Sequence, residues 1–159
     1  MLAVGAAVCA ALLAIGEVMQ HVFGMQPCSW CVLQRLIFLL AGLCCAVGAL
    51  AVRFGLLRLA AIVLADALAA AGLVTALYQQ LVASKSASCL MTLADRIVMA
   101  LSLHEIAPWM FMPTAPCNEA NMPLFGLPFA LWSAAGFVLI GTGAAFALVQ
   151  TIRARRSAA

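Results

Sequence analysis

The stretch Pro27–Val52, PCSWCVLQRLIFLLAGLCCAVGALAV, decides the fold of this chain. From Leu36 onward the stretch carries no charged side chain. The whole stretch is long enough to hold the roughly 20 apolar residues that one helical membrane crossing needs. Two cysteines, Cys28 and Cys31, and a fixed positive charge, Arg35, stand at its start. The stretch therefore predicts a membrane-spanning helix that begins with a pair of thiols.

The composition extends this interpretation to the whole chain. Of 159 residues, 67% are hydrophobic and 8% are charged, and the mean hydropathy is +1.17, whereas soluble domains are about half apolar. Backbone groups inside a bilayer must be hydrogen-bonded within the segment, so such apolar runs cross the bilayer as helices. We predict one integral membrane domain, residues 1–159, folded as an all-α four-transmembrane-helix bundle with spans at about residues 2–22, 31–52, 59–82 and 127–149. The N-terminus has no basic region and no clean cleavage site, so we expect the first run to be a retained anchor.

The arginines and lysines indicate how the bundle is oriented. In a four-span arrangement one side carries Arg53, Arg58, Arg153, Arg155 and Arg156, and the other carries Arg35, Lys85 and Arg96. Because cytoplasmic loops are enriched in Lys and Arg, both termini are predicted to lie in the cytoplasm. Loops of about residues 23–30 and 83–126 then face outward, which for a bacterial inner membrane means the oxidising periplasm, where disulfides persist. The net charge of +3 is too small and too dispersed to predict nucleic-acid binding.

A short amphipathic interfacial helix is predicted in the second periplasmic loop. Within Leu90–Ile106 the apolar residues Leu93, Val98 and Leu101 recur at helical intervals, while the charged residues fall mostly on another face. The segment is too short and too charged to span the membrane, so we expect it to lie in the outer interface, with the Trp109–Met112 run dipping into the bilayer beside it. The alternative is an ordinary loop helix packed on the bundle.

The seven cysteines divide by their predicted depth. Three lie inside apolar runs and are interpreted as small hydrophobic packing residues: Cys9, Cys44 and Cys45. The other four face outward and make two possible pairs, one local and one long-range: Cys28 with Cys31, and Cys89 with Cys117.

Two interpretations of the outward cysteines are open. They could form structural disulfides that hold an extracytoplasmic loop together, or two redox-active pairs that exchange electrons through mixed disulfides. The local pair lies at a predicted helix N-terminus with Arg35 one turn away, and both features favour a reactive thiolate at Cys31. Four spans already fix the fold without extra cross-links. We therefore predict an electron relay.

A relay needs a terminal acceptor, and none is evident in the chain. There is no glycine-rich nucleotide-binding motif, no haem-attachment C-x-x-C-H and no Cys and His cluster at zinc spacing, so no metal site is predicted. A thiol at the hydrocarbon boundary suits a lipid-soluble quinone from the membrane pool. Arg35 then has two possible roles: it could hydrogen-bond a quinone oxygen as negative charge develops there, or it could simply anchor the helix end by snorkelling.

The order of these residues resembles the DsbB family of bacterial inner-membrane disulfide bond formation proteins. The resemblance is carried by Gln20–Val22, by the C-x-x-C of Pro27–Cys31 with Arg35 four residues later, and by Phe125–Leu127 followed by Trp132. It covers essentially the whole chain. It implies a quinone-dependent thiol oxidase that reoxidises a DsbA-like periplasmic thioredoxin-fold protein and reduces ubiquinone or menaquinone.

The resemblance also implies a role for each cysteine. Cys89 would receive the attack of the partner's thiolate, and Cys117 would exchange with Cys28. Cys31 would then face the quinone, aided by Arg35.

Some positions depart from the family pattern and bear on quinone binding. The proline that tends to stand two residues before the tryptophan is replaced by Ala130, and the proline here is Pro128. Gln80 fits a glutamine near the outer end of the third span, but the histidine often found one turn earlier is Ala76. We predict Gln80 and His21 at the quinone site, with His21 as a candidate substitute for the missing histidine.

Two other functions remain as alternatives. A vitamin K epoxide reductase-like protein also joins four helices to cysteine pairs, but there the C-x-x-C comes late in the chain. A non-enzymatic soft-metal or small-solute membrane protein with structural disulfides would use Cys, Met and His as ligands. The eight methionines form no repeated motif along a path, which disfavours it.

Overall fold

Four long helices dominate the fold. The computed structural model describes residues 1–85, 91–120 and 123–157. Its helices, in chain order, are α1 Leu2–His21, α2 Ser29–Leu50, α3 Gly55–Leu81, α4 Leu93–Ala100, α5 Leu103–Ile106, α6 Pro108–Phe111, α7 Cys117–Ala120 and α8 Phe129–Arg156. Helices α1, α2, α3 and α8 are long and apolar enough to cross a membrane. The predicted all-α four-helix membrane bundle is therefore confirmed.

The long helices follow one another around the bundle. Helix α2 packs between α1 and α3, and α8 packs on α3 and closes the ring against α1. Close approach depends on glycine, as is common between membrane helices: a Cβ atom at Gly72 would lie 2.2 Å from the ring of Phe137, and one at Gly136 would lie 2.6 Å from Leu12. Phe137 also stacks on Phe38 with ring centroids 3.9 Å apart. These contacts build the core beneath the cysteines.

Helix bounds and predicted spans differ at both ends. Helices α2 and α3 begin before the predicted spans, at Ser29 and Gly55, but end at Leu50 and Leu81, inside them. Helix α8 begins at Phe129, later than predicted, and continues past the predicted end to Arg156. Hydropathy marks the part of a helix that lies in hydrocarbon, whereas good helix formers such as arginine continue the helix into the polar interface. Arginines in the last turn of α8 also complement its helix dipole.

The segment predicted as one amphipathic helix is divided in two by the backbone. Thr92 and Asp95 form a capping box that starts α4 at Leu93: the Thr92 hydroxyl accepts from the Asp95 N–H, and the Asp95 carboxylate accepts from the Thr92 N–H. At the other end Ser102 adopts a left-handed conformation, with φ 48°, and separates α4 from α5. Leu90, where the predicted segment begins, lies outside the described residues.

This segment both packs on the bundle and exposes apolar side chains. Ala94 and Val98 are buried on the side of α4 that faces α2, while Leu93 is exposed. In α6, Phe111 is buried and Trp109 is exposed. The segment therefore has a feature of each alternative: it packs on the bundle, and it also exposes apolar side chains on its outer surface.

A two-stranded hairpin leads into α8. Strands β1, Pro123–Leu124, and β2, Leu127–Pro128, pair antiparallel across a turn in which Phe125 and Gly126 both have positive φ. The indole N–H of Trp132 donates to the Leu124 carbonyl at 3.1 Å and fixes the hairpin to the first turns of α8. The hairpin lies at the end of the bundle where α1 ends and α2 begins, which we call the cysteine end.

Candidate active site

Cys28 and Cys31 meet at the first turn of α2. Cys28 is the N-cap residue with extended backbone, and its carbonyl accepts from the Val32 N–H at 3.0 Å. Cys31 follows three residues later, so one helical turn carries both sulfurs to the same side. Their Sγ atoms lie 3.1 Å apart as two thiols, and Cys28 is completely buried.

A third sulfur, that of Cys117, reaches Cys28 from the second loop. The Pro27 carbonyl accepts from the backbone N–H groups of Thr114 and Ala115, at 2.9 and 3.3 Å, which docks the loop beside Cys28. Helix α7 begins two residues further on with Cys117, whose sulfur accepts hydrogen bonds from the Cys28 thiol and from the backbone N–H of Trp30. Cys28 therefore lies between the sulfurs of Cys31 and Cys117.

These hydrogen bonds make the thiols of Cys28 and Cys117 unequal. The hydrogen bond from Cys28, assisted by the Trp30 N–H, lowers the pKa of Cys117 below its usual range. Hydrogen bonds to Cys117 and Cys31, together with burial, raise the pKa of Cys28. The proton therefore stays on Cys28, and Cys117 is the more readily formed thiolate.

A cavity of about 300 Å³ lies beside Cys31. Its wall is mainly apolar and includes Leu12, Ile15, Met19, Phe38, Phe129 and Trp132 from three of the long helices. The polar groups on the wall include the side chains of Cys31, Gln34, Arg35 and Gln79. Such a cavity, apolar with a few convergent polar groups, is the usual form of a small-molecule site.

Arg35 turns into the protein instead of toward water. Its side chain is 11% exposed and lies 3.0 Å from the Glu17 carboxylate. The guanidinium also donates to Gln20 Oε1 at 2.6 Å, to the Met110 carbonyl at 2.8 Å and to the Gly16 carbonyl at 3.2 Å. This geometry differs from that of an arginine that snorkels to the interface.

Gln34 and Gln79 are site residues that the sequence interpretation missed. They are 3% and 1% exposed. Gln79 Nε2 donates to Cys31 Sγ at 3.1 Å, and Gln34 Nε2 donates to Gln79 Oε1 at 2.6 Å. A signal was present, because Gln79 shares a helix face with the small residues Ala76 and Gly72, which mark a packed interface.

The two other predicted cofactor-binding residues lie away from this wall. His21 has a half-exposed side chain, with Nε2 3.2 Å from the Trp109 carbonyl and 3.3 Å from Glu17 Oε2. Gln80 follows Gln79 and is therefore turned about 100° around α3. Neither is among the residues that line the cavity in the described part of the chain, and their roles stay predictions.

Two further positions bear on the predicted site. Cys89 lies outside the described residues. Ala76, which stands where a histidine was expected, is completely buried in the bundle. The polar groups beside Cys31 are therefore supplied by Arg35 and by the amides of Gln34 and Gln79.

Comparison with known proteins identifies the family. The family model described as Disulfide bond formation protein DsbB matches residues 1–147. The chain belongs to the DsbB family. Relatives of this DsbB-family protein include Disulfide bond formation protein B of Stutzerimonas stutzeri, 34% identical over 81% of each chain, and that of Aromatoleum aromaticum, 32% identical over 94% of this chain and 89% of the relative.

Family and fold together define the general activity. A third relative, Disulfide bond formation protein B 1 of Pseudomonas fluorescens, is 35% identical over 83% of this chain and 78% of its own. No solved structure matches the chain. The DsbB-family protein is thus a multi-pass membrane oxidoreductase of disulfide bond formation.

Proposed function

We propose that this protein oxidises a DsbA-like thioredoxin-fold dithiol protein and passes the electrons to a membrane quinone. One observation carries the proposal: the Cys28 thiol is hydrogen-bonded to Cys117, from the second loop, and its Sγ atom lies 3.1 Å from that of Cys31, on the wall of the apolar cavity. The three sulfurs form a continuous route for thiol–disulfide exchange, since each attack requires direct contact between sulfurs.

The first exchange takes electrons from the partner. The partner's thiolate attacks Cys89 in a Cys89–Cys117 disulfide, forms a mixed disulfide and releases Cys117 as a thiolate. The partner's second thiol then displaces Cys89 and leaves the partner oxidised. The role of Cys89 rests on the family resemblance, and it predicts that a partner whose second cysteine is replaced by alanine is trapped on Cys89 as the mixed disulfide, because no thiol of the partner is left to displace Cys89.

The second exchange moves the electrons inward. The Cys117 thiolate attacks Cys28 Sγ, the Cys28–Cys31 bond breaks, and Cys31 is released as a thiolate that the Gln79 N–H stabilises at 3.1 Å. Cys89 then displaces Cys28 from Cys117, which restores the loop pair and leaves Cys28 and Cys31 as a dithiol. Of the hydrogen bonds that lower the pKa of Cys117, the one from the backbone N–H of Trp30 does not need the Cys28 proton, and it supports Cys117 as the attacking group while Cys28 is in the disulfide.

The cavity fits a quinone head group. Its volume of about 300 Å³ lies at the lower end of the range for small-molecule sites, and its apolar wall is interrupted by Arg35 and two amides beside Cys31. Arg35 and Gln79 would hold the quinone oxygens, with His21 and Gln80 as further candidates from the sequence. When bound, the quinone takes two electrons and two protons and leaves as the quinol, while Cys28 and Cys31 return to the disulfide.

The proposed location is the bacterial inner membrane, with the cysteine end facing the periplasm. The α2–α3 turn, with Arg53, and the end of α8, with Arg153, Arg155 and Arg156, lie at the opposite end of the bundle. Positively charged residues favour the cytoplasmic side. Both termini would then be cytoplasmic, and the thiols would meet a compartment in which disulfides persist.

Anaerobic turnover of the purified protein tests this function. Reduced thioredoxin-fold partner is mixed with decylubiquinone or with menadione, and thiol loss and quinone absorbance are followed together. We expect one quinone to be reduced for each dithiol oxidised, and Cys31→Ser to abolish this reaction. The control, Cys44→Ser, changes a cysteine of the same helix that does not line the cavity and should retain turnover. Reduction of neither quinone by the wild type, or unchanged turnover in Cys31→Ser, would reject the proposal.

A further inference from the structure

Glu17 is a carboxylate that the proposed reaction leaves unused. It lies in the last turns of the membrane-spanning helix α1, and its side chain is 18% exposed. Its Oε1 atom lies 3.0 Å from Arg35 Nη1, and its Oε2 atom lies 3.3 Å from His21 Nε2. A charged group in a membrane helix is costly to keep and is a functional candidate by default, with its charge partner as the first clue. Here that partner is Arg35.

Glu17 differs from every other contact of Arg35 in carrying a charge. The three remaining acceptors, on Gly16, Gln20 and Met110, are neutral. Within the described residues, Glu17 is the carboxylate found within 4.0 Å of Arg35. An arginine one turn into a membrane helix can reach water by snorkelling. A carboxylate on the neighbouring helix draws it across to α1 instead.

This ion pair acts beside three hydrogen bonds, from Arg35 to Gln20, Met110 and Gly16, that also hold the guanidinium. Arg35 rests against Gly16, where a Cβ atom would be 3.7 Å from Arg35 Nε, and both Gly16 and Arg35 line the cavity. Glu17 itself does not line it. Glu17 can therefore influence a molecule in the cavity only through Arg35.

We propose that Glu17 is the positioning residue that holds the Arg35 guanidinium on the cavity wall and thereby sets the affinity for quinone. The inference rests on the proposed function, because it assumes that quinone binds in this cavity. It assigns to a carboxylate of α1 a part in quinone binding that no cysteine or arginine motif indicates.

The test compares Glu17→Leu, Glu17→Gln and Glu17→Asp with the wild type. Loss of a charge-assisted contact corresponds to about tenfold in affinity. We expect Glu17→Leu to raise the apparent KM for decylubiquinone by about tenfold with little change in kcat. Equilibrium binding of decylubiquinone, followed by quenching of tryptophan fluorescence, should weaken by the same factor. Glu17→Asp and Glu17→Gln should give intermediate values and serve if Glu17→Leu fails to fold.

The control and the double variant separate positioning from general stability. Glu105→Gln removes a carboxylate whose side chain is 71% exposed and should leave KM unchanged. In an Arg35→Met background, Glu17→Leu should add nothing further to KM, yet it should raise thermal stability because it removes a carboxylate that has lost its arginine partner and keeps only the half-exposed His21.

The possible outcomes distinguish this inference from the proposed function. If the wild type binds and reduces quinone while folded Glu17 variants keep its KM, the inference is wrong and the proposed function stands. Independent, additive effects of the Glu17 and Arg35 substitutions would also overturn it. If the wild type binds no quinone, both fail.

Discussion

Replacing Gln79 by leucine removes one hydrogen bond from the reacting sulfur while keeping a side chain of similar size. The Gln79 amide donates to Cys31 Sγ at 3.1 Å in a fully buried position. A hydrogen bond to a charged group contributes about 1.5–3 kcal/mol. Because about 1.4 kcal/mol corresponds to a factor of ten, release of Cys31 as a thiolate should be slowed by about 10- to 150-fold.

The same substitution has a separate effect on stability. Gln34, which donates to Gln79 Oε1 at 2.6 Å, would lose its acceptor inside the bundle. An unsatisfied buried polar group costs about 1–3 kcal/mol. The double variant Gln34→Leu with Gln79→Leu removes that group as well, so thermal stability should recover while activity stays low.

The assay is steady-state quinone reduction with a reduced thioredoxin-fold partner, together with thermal unfolding in detergent. Gln80→Leu is the companion variant, since the sequence pattern pointed to Gln80 but the geometry places Gln79 on the cavity wall. We expect the larger loss of activity at Gln79. A Gln79→Leu rate close to that of the wild type, or a double variant that recovers activity together with stability, would refute the assigned role.

Three other predictions concern the loop and the arginine. The hydrogen bond from Cys28 lowers the pKa of Cys117, so in the reduced protein Cys117 should react with iodoacetamide at pH 7 about fivefold more slowly in Cys28→Ala than in Cys28→Ser, a factor worth about 1 kcal/mol. The difference in rate should vanish well above the ordinary thiol pKa, and equal rates at pH 7 would contradict the prediction. Burial raises the pKa of Asp95, but hydrogen bonds from neighbouring hydroxyl and N–H groups lower it more, to below its ordinary value, so the contribution of Asp95 to folding stability is present above the unfolded pKa and lost as pH falls through the folded pKa. Asp95→Asn should therefore lower the stability by about 1 kcal/mol at pH 7. A loss of thermal stability in Asp95→Asn that persists unchanged in strong acid would count against this prediction. Arg35→Met should raise the apparent KM for quinone at least about tenfold, whereas the exposed Arg96→Met should not; an unaltered KM in Arg35→Met would make Arg35 a helix anchor only.

The sequence was sufficient for the fold because the bilayer restricts the alternatives. Long uncharged runs must cross as helices, and the spacing of Cys28, Cys31 and Arg35 is fixed by one helix. The helix ends were harder to predict from the sequence. The cap at Thr92 and the left-handed backbone at Ser102 set the limits of α4, and hydropathy does not register either feature.

The surroundings of Cys31 could not be predicted as well because they come from other helices. Gln79 and Gln80 are adjacent in sequence, and only the packing of α3 on α2 decides which amide meets the sulfur. Arg35 likewise contacts groups of other segments, among them Glu17 of α1 and the Met110 carbonyl. For Gln79 the sequence offered only the small residues on its helix face, and the contacts of Arg35 have no local sequence signature.

The central claim is that electrons pass from Cys117 through Cys28 to Cys31, and disulfide mapping tests it most directly. Oxidised protein is mixed, without quinone, with a reduced partner whose second cysteine is replaced by alanine, so that Cys89 stays in the mixed disulfide and cannot displace Cys28 from Cys117. The mixture is quenched with acid and alkylated, and its disulfides are identified by mass spectrometry. The hydrogen bonds of the Cys28 thiol to both other sulfurs predict that a Cys28–Cys117 disulfide accumulates while Cys31 is alkylated as a thiol. A mixed disulfide between Cys89 and the partner with the Cys28–Cys31 disulfide still intact and no Cys28–Cys117 bond would contradict the account.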